Sequence, residues 1–394
     1  MPIDRDLLTQ DALNGMLNSL DPYSGYLPPV DYSKMNESLE QQFAGIGAEI
    51  VIHSQTRALA VGALIYGSPA QQSGLLPGDQ ILAINGESSQ GLLPSAASSK
   101  LRGAAGSVVS LRVLRRNQKE PVEFDVERKI ISTSSILGDR RLSDGRWTYF
   151  LQNAYGIAYV KIIGFGMRTP SELGALIPSL QKKGMKGLII DLRGNPGGTL
   201  NAAVGVCNLF VPENEVIVSI KSRTGIKSIK AEKGEKFRSF PVAVLIDSLS
   251  ASASEITAAC LQDYASQVDE NGMKLNVVLI GQRSFGKGTV QDMYSLMENQ
   301  GAIKITIAGY VRPNGKNIHR NEQTQLTDQW GVKPDAGYNI EQSKDALTAL
   351  ARWRSLRALS IDNSKPGDNP PFGNPALYDP CVKKALDYFA TLTR

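Results

Sequence analysis

The chain has 394 residues, 42% of them hydrophobic and 21% charged, which at roughly 150 residues per domain predicts two or three domains and excludes disorder as the main theme. Its 43 Lys and Arg against 38 Asp and Glu leave a formal charge of +5 spread along the chain, so the basic stripe that nucleic-acid binding requires is missing. The longest apolar runs, Val242 to Ile246 and Val277 to Ile280, are strand-sized and far from the roughly 18 residues of a membrane span.

In chain order, residues 1–42 predict helices around a turn, with an apolar stripe of Leu7, Leu8, Leu13, Met16 and Leu17 broken by Asp21-Pro22-Tyr23-Ser24-Gly25. Residues 43–131 change to short alternating strands, Leu59 to Ile65, Gln80 to Ile84 and Val108 to Leu114, separated by Gly-Ser-Pro, Pro-Gly-Asp and Asn-Gly turns. This predicts a small β-rich domain. Across residues 132–341 strands at Ile157 to Ile162, Leu188 to Asp191 and Val242 to Ile246 alternate with helices at Pro170 to Gln181, Leu200 to Leu209 and Ser254 to Tyr264, the pattern of an α/β domain. Residues 342–394 predict two helical segments around a loop at Asn363 to Asn374, the second opening with Asp379 as N-cap and Pro380 in the first helical position.

Three turns carry chemically interesting residues. Ser250-Ala251-Ser252-Ala253-Ser254-Glu255 links a strand to a helix, where a serine hydroxyl and neighbouring N–H groups serve acyl transfer, but Ser252 with Glu255 three residues on also reads as a capping box. Asp191-Leu192-Arg193-Gly194-Asn195-Pro196-Gly197-Gly198 suits an oxyanion hole as well as it suits a tight turn. Gly281 to Gln291 mimics a phosphate-binding loop around Lys287, yet Gly288 stands where that loop needs Ser or Thr, and Thr289-Val290-Gln291 reads as extended; a glycine-rich hairpin with a solvated lysine is the plainer alternative.

If Ser252 is a nucleophile, its proton needs an acceptor, and the chain has only two histidines. His53 falls in the β-rich domain and His319 sits beside Arg320 with no sequence sign of an orienting carboxylate. A Ser/Lys dyad is the economical choice. Its lysine must titrate near neutrality rather than at the usual roughly 10.4, a difference on the order of 4 kcal/mol that burial has to supply. Cys207, Cys260 and Cys381 are odd in number and far apart, so neither a zinc pattern nor a disulfide framework follows from them.

Together the three turns, in this order, resemble those of the C-terminal processing (tail-specific) serine proteases, as do Asp21-Pro22-Tyr23-Ser24-Gly25-Tyr26-Leu27, Phe43-Ala44-Gly45-Ile46-Gly47 and Tyr310-Val311-Arg312-Pro313-Asn314-Gly315-Lys316-Asn317-Ile318. The resemblance runs from about Leu20 to Leu386. It implies an α/β fold: a ClpP/crotonase-like protease core (132–341) with an inserted β-rich PDZ domain (43–131) and helical terminal segments (1–42 and 342–394). By the same resemblance Ser252 is the nucleophile, Lys287 the general base and Gln291 the residue that orients it, with Gly198 and Ala253 as the oxyanion hole.

Ser68 to Gly86 is similar to a PDZ core, and the resemblance makes Phe43, Gly45, Ile46 and Gly47 the peptide-binding groove. Arg102 resembles a family arginine that links ligand binding to protease alignment; a surface arginine in a turn is the alternative. About 35 residues separate Ser252 from Lys287, more than the family pattern leads one to expect, and Asp269-Glu270-Asn271-Gly272-Met273-Lys274 reads as an inserted surface loop. The implied function is a serine endopeptidase that recognises protein substrates by their C-terminal tails and works through an acyl-enzyme. A catalytically silent PDZ scaffold and a P-loop nucleotide-binding protein are the rival readings. No metal or organic cofactor is implied, and the partners are protein or peptide substrates, with a homo-oligomer or adaptor protein besides. The opening Met-Pro-Ile-Asp-Arg-Asp shows no targeting signal, so a periplasmic or envelope location comes from the resemblance and implies a truncated or processed chain.

Overall fold

The computed structural model describes residues 4–53, 56–116, 118–142, 144–265, 267, 268, 272, 274–297, 300–325, 327–358 and 379–392. Most of the loop expected at Asp269 to Lys274 and all of the one at Asn363 to Asn374 lie outside these residues. The chain divides into two compact units, one of Met1–Glu40, Lys161–Glu341 and Lys384–Arg394, the other of Gln41–Val160 and Gln342–Lys383.

In the first unit the strands Gly187–Asp191, Val242–Ile246 and Val277–Gly281 pair in parallel, with Ile189 opposite Ala243 and Ala243 opposite Val278. Every residue of the three is buried, which is why their sequences run apolar without alternation, as in a parallel sheet covered on both faces. The connecting segments contain the helices Leu200–Asn208 and Ala253–Asp263, the second buried continuously from Ala253 to Leu261. A second, antiparallel sheet of this unit is made of Gly25–Leu27, Val216–Ser222, Gly225–Lys230, Thr289–Ser295 and Ala302–Val311.

The amino-terminal stripe forms the helix Arg5–Asn18 as expected, but its apolar face is not core. Leu7, Leu8 and Met16 are exposed and only Leu17 is buried.

In the second unit the order Ala48–Ile52, Leu59–Leu64, Gln80–Ile84, Val108–Leu114, Val122–Glu127 makes an antiparallel sheet, with Glu87–Ser88 paired to Gln80–Ile84. Its core includes Leu59, Val61, Ile81, Ile84, Leu111 and Val126. Buried Asp79 ties it together: both carboxylate oxygens accept from Arg115, and Oδ2 also takes the Leu76 N–H. The helix Lys344–Ala358 belongs to this unit and is held by Arg357 to Asp139 and by Arg354 to Asp379. Asp379 also caps the helix Pro380–Leu392, its Oδ1 accepting the Cys381 and Val382 N–H groups.

Gly281 ends the edge strand of the parallel sheet at φ +127°, and a Cβ there would lie 2.1 Å from the Ile246 carbonyl oxygen of the neighbouring strand. Because the Cβ is fixed by its own backbone and the atom it meets is backbone too, the strand has to separate from Ile246 to admit a side chain. Gly281→Ala is therefore expected to destabilise the chain by about 4 kcal/mol, read as a lowered urea midpoint with the slope unchanged.

Candidate active site

The three turns singled out above follow the C-terminal ends of three adjacent parallel strands, where open α/β sheets present their ligand-binding crevices. They are hydrogen-bonded to one another. The Ala251 N–H and the Ser254 hydroxyl both donate to the Asn195 carbonyl, at 3.0 and 2.9 Å, and the Ser250 hydroxyl donates to the Leu192 carbonyl at 2.8 Å. Phe285 N–H donates to the Ser250 carbonyl at 3.0 Å, joining the lysine turn to the serine turn.

The glycine turn is built on a buried ion pair. Arg193 reaches back to Asp191 through Nε and Nη2 at 2.9 and 2.7 Å, which closes the loop just after the strand. Buried Asn195 then anchors the far side, donating to the Ile162 carbonyl and accepting the Gly197 N–H. Gly197 has φ +109°, and a Cβ on it would meet the Ser252 Cβ at 2.8 Å; only glycine lets this loop lie against the serine. Gly198 bridges to Phe165, and Ala253 opens the helix, so its N–H is among those with no intrahelical partner.

Ser252 is held at φ +56°, ψ −114°, a conformation that costs a residue with a side chain on the order of 1–3 kcal/mol and tends to persist at functional sites. It also forms the expected capping box with Glu255, so the capping and catalytic readings of this serine describe one arrangement. Lys287 is partly buried; burial pushes its amine below the ordinary lysine range, Lys304 adds to this, and the charges of Glu255 and Asp21 oppose it. After Lys287 the chain enters the strand Thr289–Ser295, not a helix, which removes the helix N-terminus that a P-loop needs. A bulge between Val290 and Gln291 turns Gln291, whose Nε2 donates to Thr289 Oγ1 and Thr306 Oγ1 at 2.9 and 3.1 Å. Ser252, Lys287, Gln291, Gly198 and Ala253 all lie in the same unit. Among the described residues, Lys287 Nζ is hydrogen-bonded to neither Ser252 nor Gln291; it lies instead over the Tyr23 ring, 5.2 Å from the centroid.

Tyr23 and Asp21 carry no role in the sequence reading beyond their place in a matching motif. Asp21 Oδ1 accepts from Tyr23 N–H, Ser24 N–H and Thr306 Oγ1, and its Oδ2 accepts the Ser24 hydroxyl. Thr306, on the strand Ala302–Val311, is also the partner of Gln291, so the turn that sets Tyr23 over the lysine amine shares this threonine with Gln291. Tyr23, Phe285, His319 and Arg320 line a cavity of about 610 Å³, of which the Tyr23 ring is the wall that also meets the Lys287 amine. His319 thus belongs to the site although its neighbours in sequence did not suggest it; burial pushes its imidazole below the usual value, and among the described residues no carboxylate is hydrogen-bonded to the ring.

The residues expected to bind peptide cluster in the other unit. The Arg102 guanidinium lies 4.7 Å from the Phe43 ring centroid, and a Cβ on Gly45 would touch that ring. Ile46 is buried, its carbonyl accepting the Ala70 N–H. Gly47 packs so close to Ser68 that a Cβ would sit 2.4 Å from the Ser68 Cβ. The chain then enters Ala48–Ile52, the terminal strand of its sheet, against which the helix Pro94–Leu101 packs.

No cluster of three His, Cys, Asp or Glu suited to a metal occurs among the described residues, and Cys207, Cys260 and Cys381 are free and buried. No helix among them is long and apolar enough to cross a membrane.

The profile of Peptidase family S41 matches residues 156–337 and that of the PDZ domain residues 61–115. A carboxyl-terminal-processing protease of Synechocystis sp. is 33% identical over 313 residues, 79% of this chain and 69% of that protein. The carboxy-terminal processing protease CtpA of Bacillus subtilis is 33% identical over 333 residues, 84% of this chain and 64% of that protein. A solved structure of an S41 protease candidate from Bacteroides fragilis aligns over 100% of this chain and 91% of its own with a TM-score of 0.51 and 15% identity, a likeness of fold alone.

Burial acts to raise the Asp21 carboxyl, but hydrogen bonds from Ser24, Tyr23 and Thr306 outweigh it and hold it below the usual carboxylate value. A carboxyl lowered by folding stabilises above its unfolded pKa and loses that contribution as pH falls through the folded one. Asp21→Asn is accordingly expected to lower Tm against wild type at pH 7, with the gap closing as the pH is taken below the carboxylate range.

Proposed function

Because the chain belongs to peptidase family S41 and is a serine-type peptidase, we propose that it is an endopeptidase with Ser252 as nucleophile and Lys287 as general base, directed to C-terminal tails by its PDZ domain. The reading is carried by the convergence of the three turns: a conformationally strained serine beside a glycine that tolerates no side chain, with a lysine turn hydrogen-bonded to the serine turn.

In this mechanism the Ser252 hydroxyl oxygen attacks the scissile carbonyl while the neutral Lys287 amine takes its proton. The N–H groups of Gly198 and Ala253 receive the oxyanion, and Gln291 orients the lysine. Collapse passes the proton from Lys287 to the leaving amine and leaves an acyl-enzyme on Ser252. Water, deprotonated by the same lysine, then releases the second product. Burial, which lowers the Lys287 pKa, supports this role, and the absence of a hydrogen bond to Ser252 fits a catalytic pair that tightens when substrate excludes water.

The tail would add as a strand to the edge Ala48–Ile52 beside the helix Pro94–Leu101, its carboxylate facing the amides of Gly45, Ile46 and Gly47, with Phe43 and Arg102 at the rim. Kinship with the carboxyl-terminal-processing proteases supports this substrate class. An intact Ser252 and Lys287 speak against a silent scaffold.

On an unfolded protein substrate, wild type is expected to cleave and Ser252→Ala to be inactive; full activity in the alanine variant would remove the assignment. Activity should rise with pH as the lysine loses its proton, with a midpoint below the usual roughly 10.4, and Lys287→Arg should be inactive because arginine stays charged.

The tail assignment is tested separately. Free-acid peptides should bind about tenfold more tightly than their C-terminal amides, since a charge-assisted hydrogen bond is lost on amidation. Equal affinities by calorimetry would withdraw tail recognition and leave the catalytic assignment standing.

A further inference from the structure

The backbones of Ser252 and Lys287 are bridged twice, once on their N–H groups and once on their carbonyls. Glu255, fully buried, accepts the Ser252 N–H at 2.9 Å and the Lys287 N–H at 2.8 Å on one oxygen, Oε2. Its other oxygen accepts the Gly286 N–H at 2.6 Å and the Ser284 hydroxyl at 2.5 Å. Among the described residues no lysine or arginine forms an ion pair with this carboxylate, so four donors, all from the serine and lysine turns, replace its hydration. On the opposite side, the hydroxyl of buried Tyr310 lies 2.6 Å from the Lys287 carbonyl and 3.2 Å from the Ser252 carbonyl.

Two N–H groups that share one acceptor have their nitrogens less than about 6 Å apart, and two carbonyls that share one hydroxyl are similarly confined. We propose that Glu255 and Tyr310 are a pair of positioning residues that set the spacing between the nucleophile and its base, the carboxylate from the amide side and the phenol from the carbonyl side. This rests on the Ser252/Lys287 assignment above. A capping box explains one of the four bonds to Glu255; the other three run to the lysine turn and have no part in capping. Tyr310 is placed for the task by its strand, Ala302–Val311, in which its N–H pairs with the Gly288 carbonyl directly after the lysine.

The two residues differ in charge, which gives the test a readout that loss of packing would not imitate. The charged groups acting on the Lys287 amine are Glu255 and Asp21, which favour its protonated form, and Lys304, which opposes it; the Tyr23 ring lies over it. Glu255→Gln deletes one of these charges and puts an amide NH₂ where an oxygen accepted N–H groups. Tyr310→Phe deletes one oxygen and no charge.

The experiment measures kcat and KM of the full chain on fluorescently labelled casein from pH 6 to 10 for wild type, Ser252→Ala, Glu255→Gln and Tyr310→Phe, with circular dichroism to establish folding. Both variants are expected to fold, to keep KM within about twofold and to lose on the order of 10²-fold in kcat, the cost of a small misplacement of reacting groups. The rise of kcat/KM with pH should move to lower pH in Glu255→Gln and stay in place in Tyr310→Phe. A wild-type kcat in Tyr310→Phe, a pH profile unmoved in Glu255→Gln, or a Tyr310→Phe chain that no longer folds would overturn the proposal, the last by showing that the hydroxyl serves folding rather than spacing. If Glu255→Gln alone fails to fold, Tyr310→Phe decides by its kcat. Activity in Ser252→Ala would instead bring down the dyad itself.

Discussion

The parallel pairing of Gly187–Asp191, Val242–Ile246 and Val277–Gly281 is the constraint from which the site follows. Parallel strands present their C-terminal ends on one edge, so three turns distant in sequence emerge side by side whatever their own preferences. Burial of all three strands makes the register expensive to change, because a slip would carry backbone donors into an apolar layer without partners. The turns then need only short hydrogen bonds among Asn195, Ala251, Ser250 and Phe285 to become one structure.

Charge in the site is handled by the same burial. Removing the Lys287 amine from water favours its neutral form, and the nearby Lys304 adds to that, while Glu255 and Asp21 oppose both. The carboxylates serve through their acceptor oxygens: Glu255 takes four donors and Asp21 takes four, and between them they tie together the serine turn, the lysine turn, the Asp21–Ser24 turn and the strand Ala302–Val311, whose Thr306 also accepts from Gln291. The resulting electrostatic balance leaves the amine below its ordinary range without a direct ion pair among the described residues.

The second unit solves a different problem. Its Ala48–Ile52 strand ends a sheet, leaving a row of backbone groups to one side, and a helix lies along it. Such an edge invites pairing with another chain, which is the mode that the proposed tail recognition would use. Phe43 and Gly45 meet Arg102, distant from them in sequence, because the strand Gln42–Gly45 is paired to Lys129–Ser132 and the helix Pro94–Leu101 ends at Arg102.

The amino-acid sequence by itself determined the elements and the chemistry available to them. Apolar runs marked the strands named from them, Leu59–Leu64 and Val242–Ile246 among others, to within a residue or two but left Val216–Ser222, Gly225–Lys230 and Ala302–Val311 unmarked; Gly, Asn and Pro marked the turns, and Ser252, Lys287 and Gly198 stood out because the turns bearing them are local in sequence. Periodicity misjudged the helix Arg5–Asn18, whose apolar residues Leu7, Leu8 and Met16 stay exposed, since a stripe reports which side chains share a face and not whether anything covers them. Tertiary structure alone decided that Asp21 reaches Thr306, 285 residues away, that Tyr310 spans the carbonyls of Ser252 and Lys287, and that a glutamate legible as a helix cap also holds the lysine turn. A hydrogen bond has a reach of about 3 Å, and which groups come within it depends on strand order and register, neither of which a local pattern encodes.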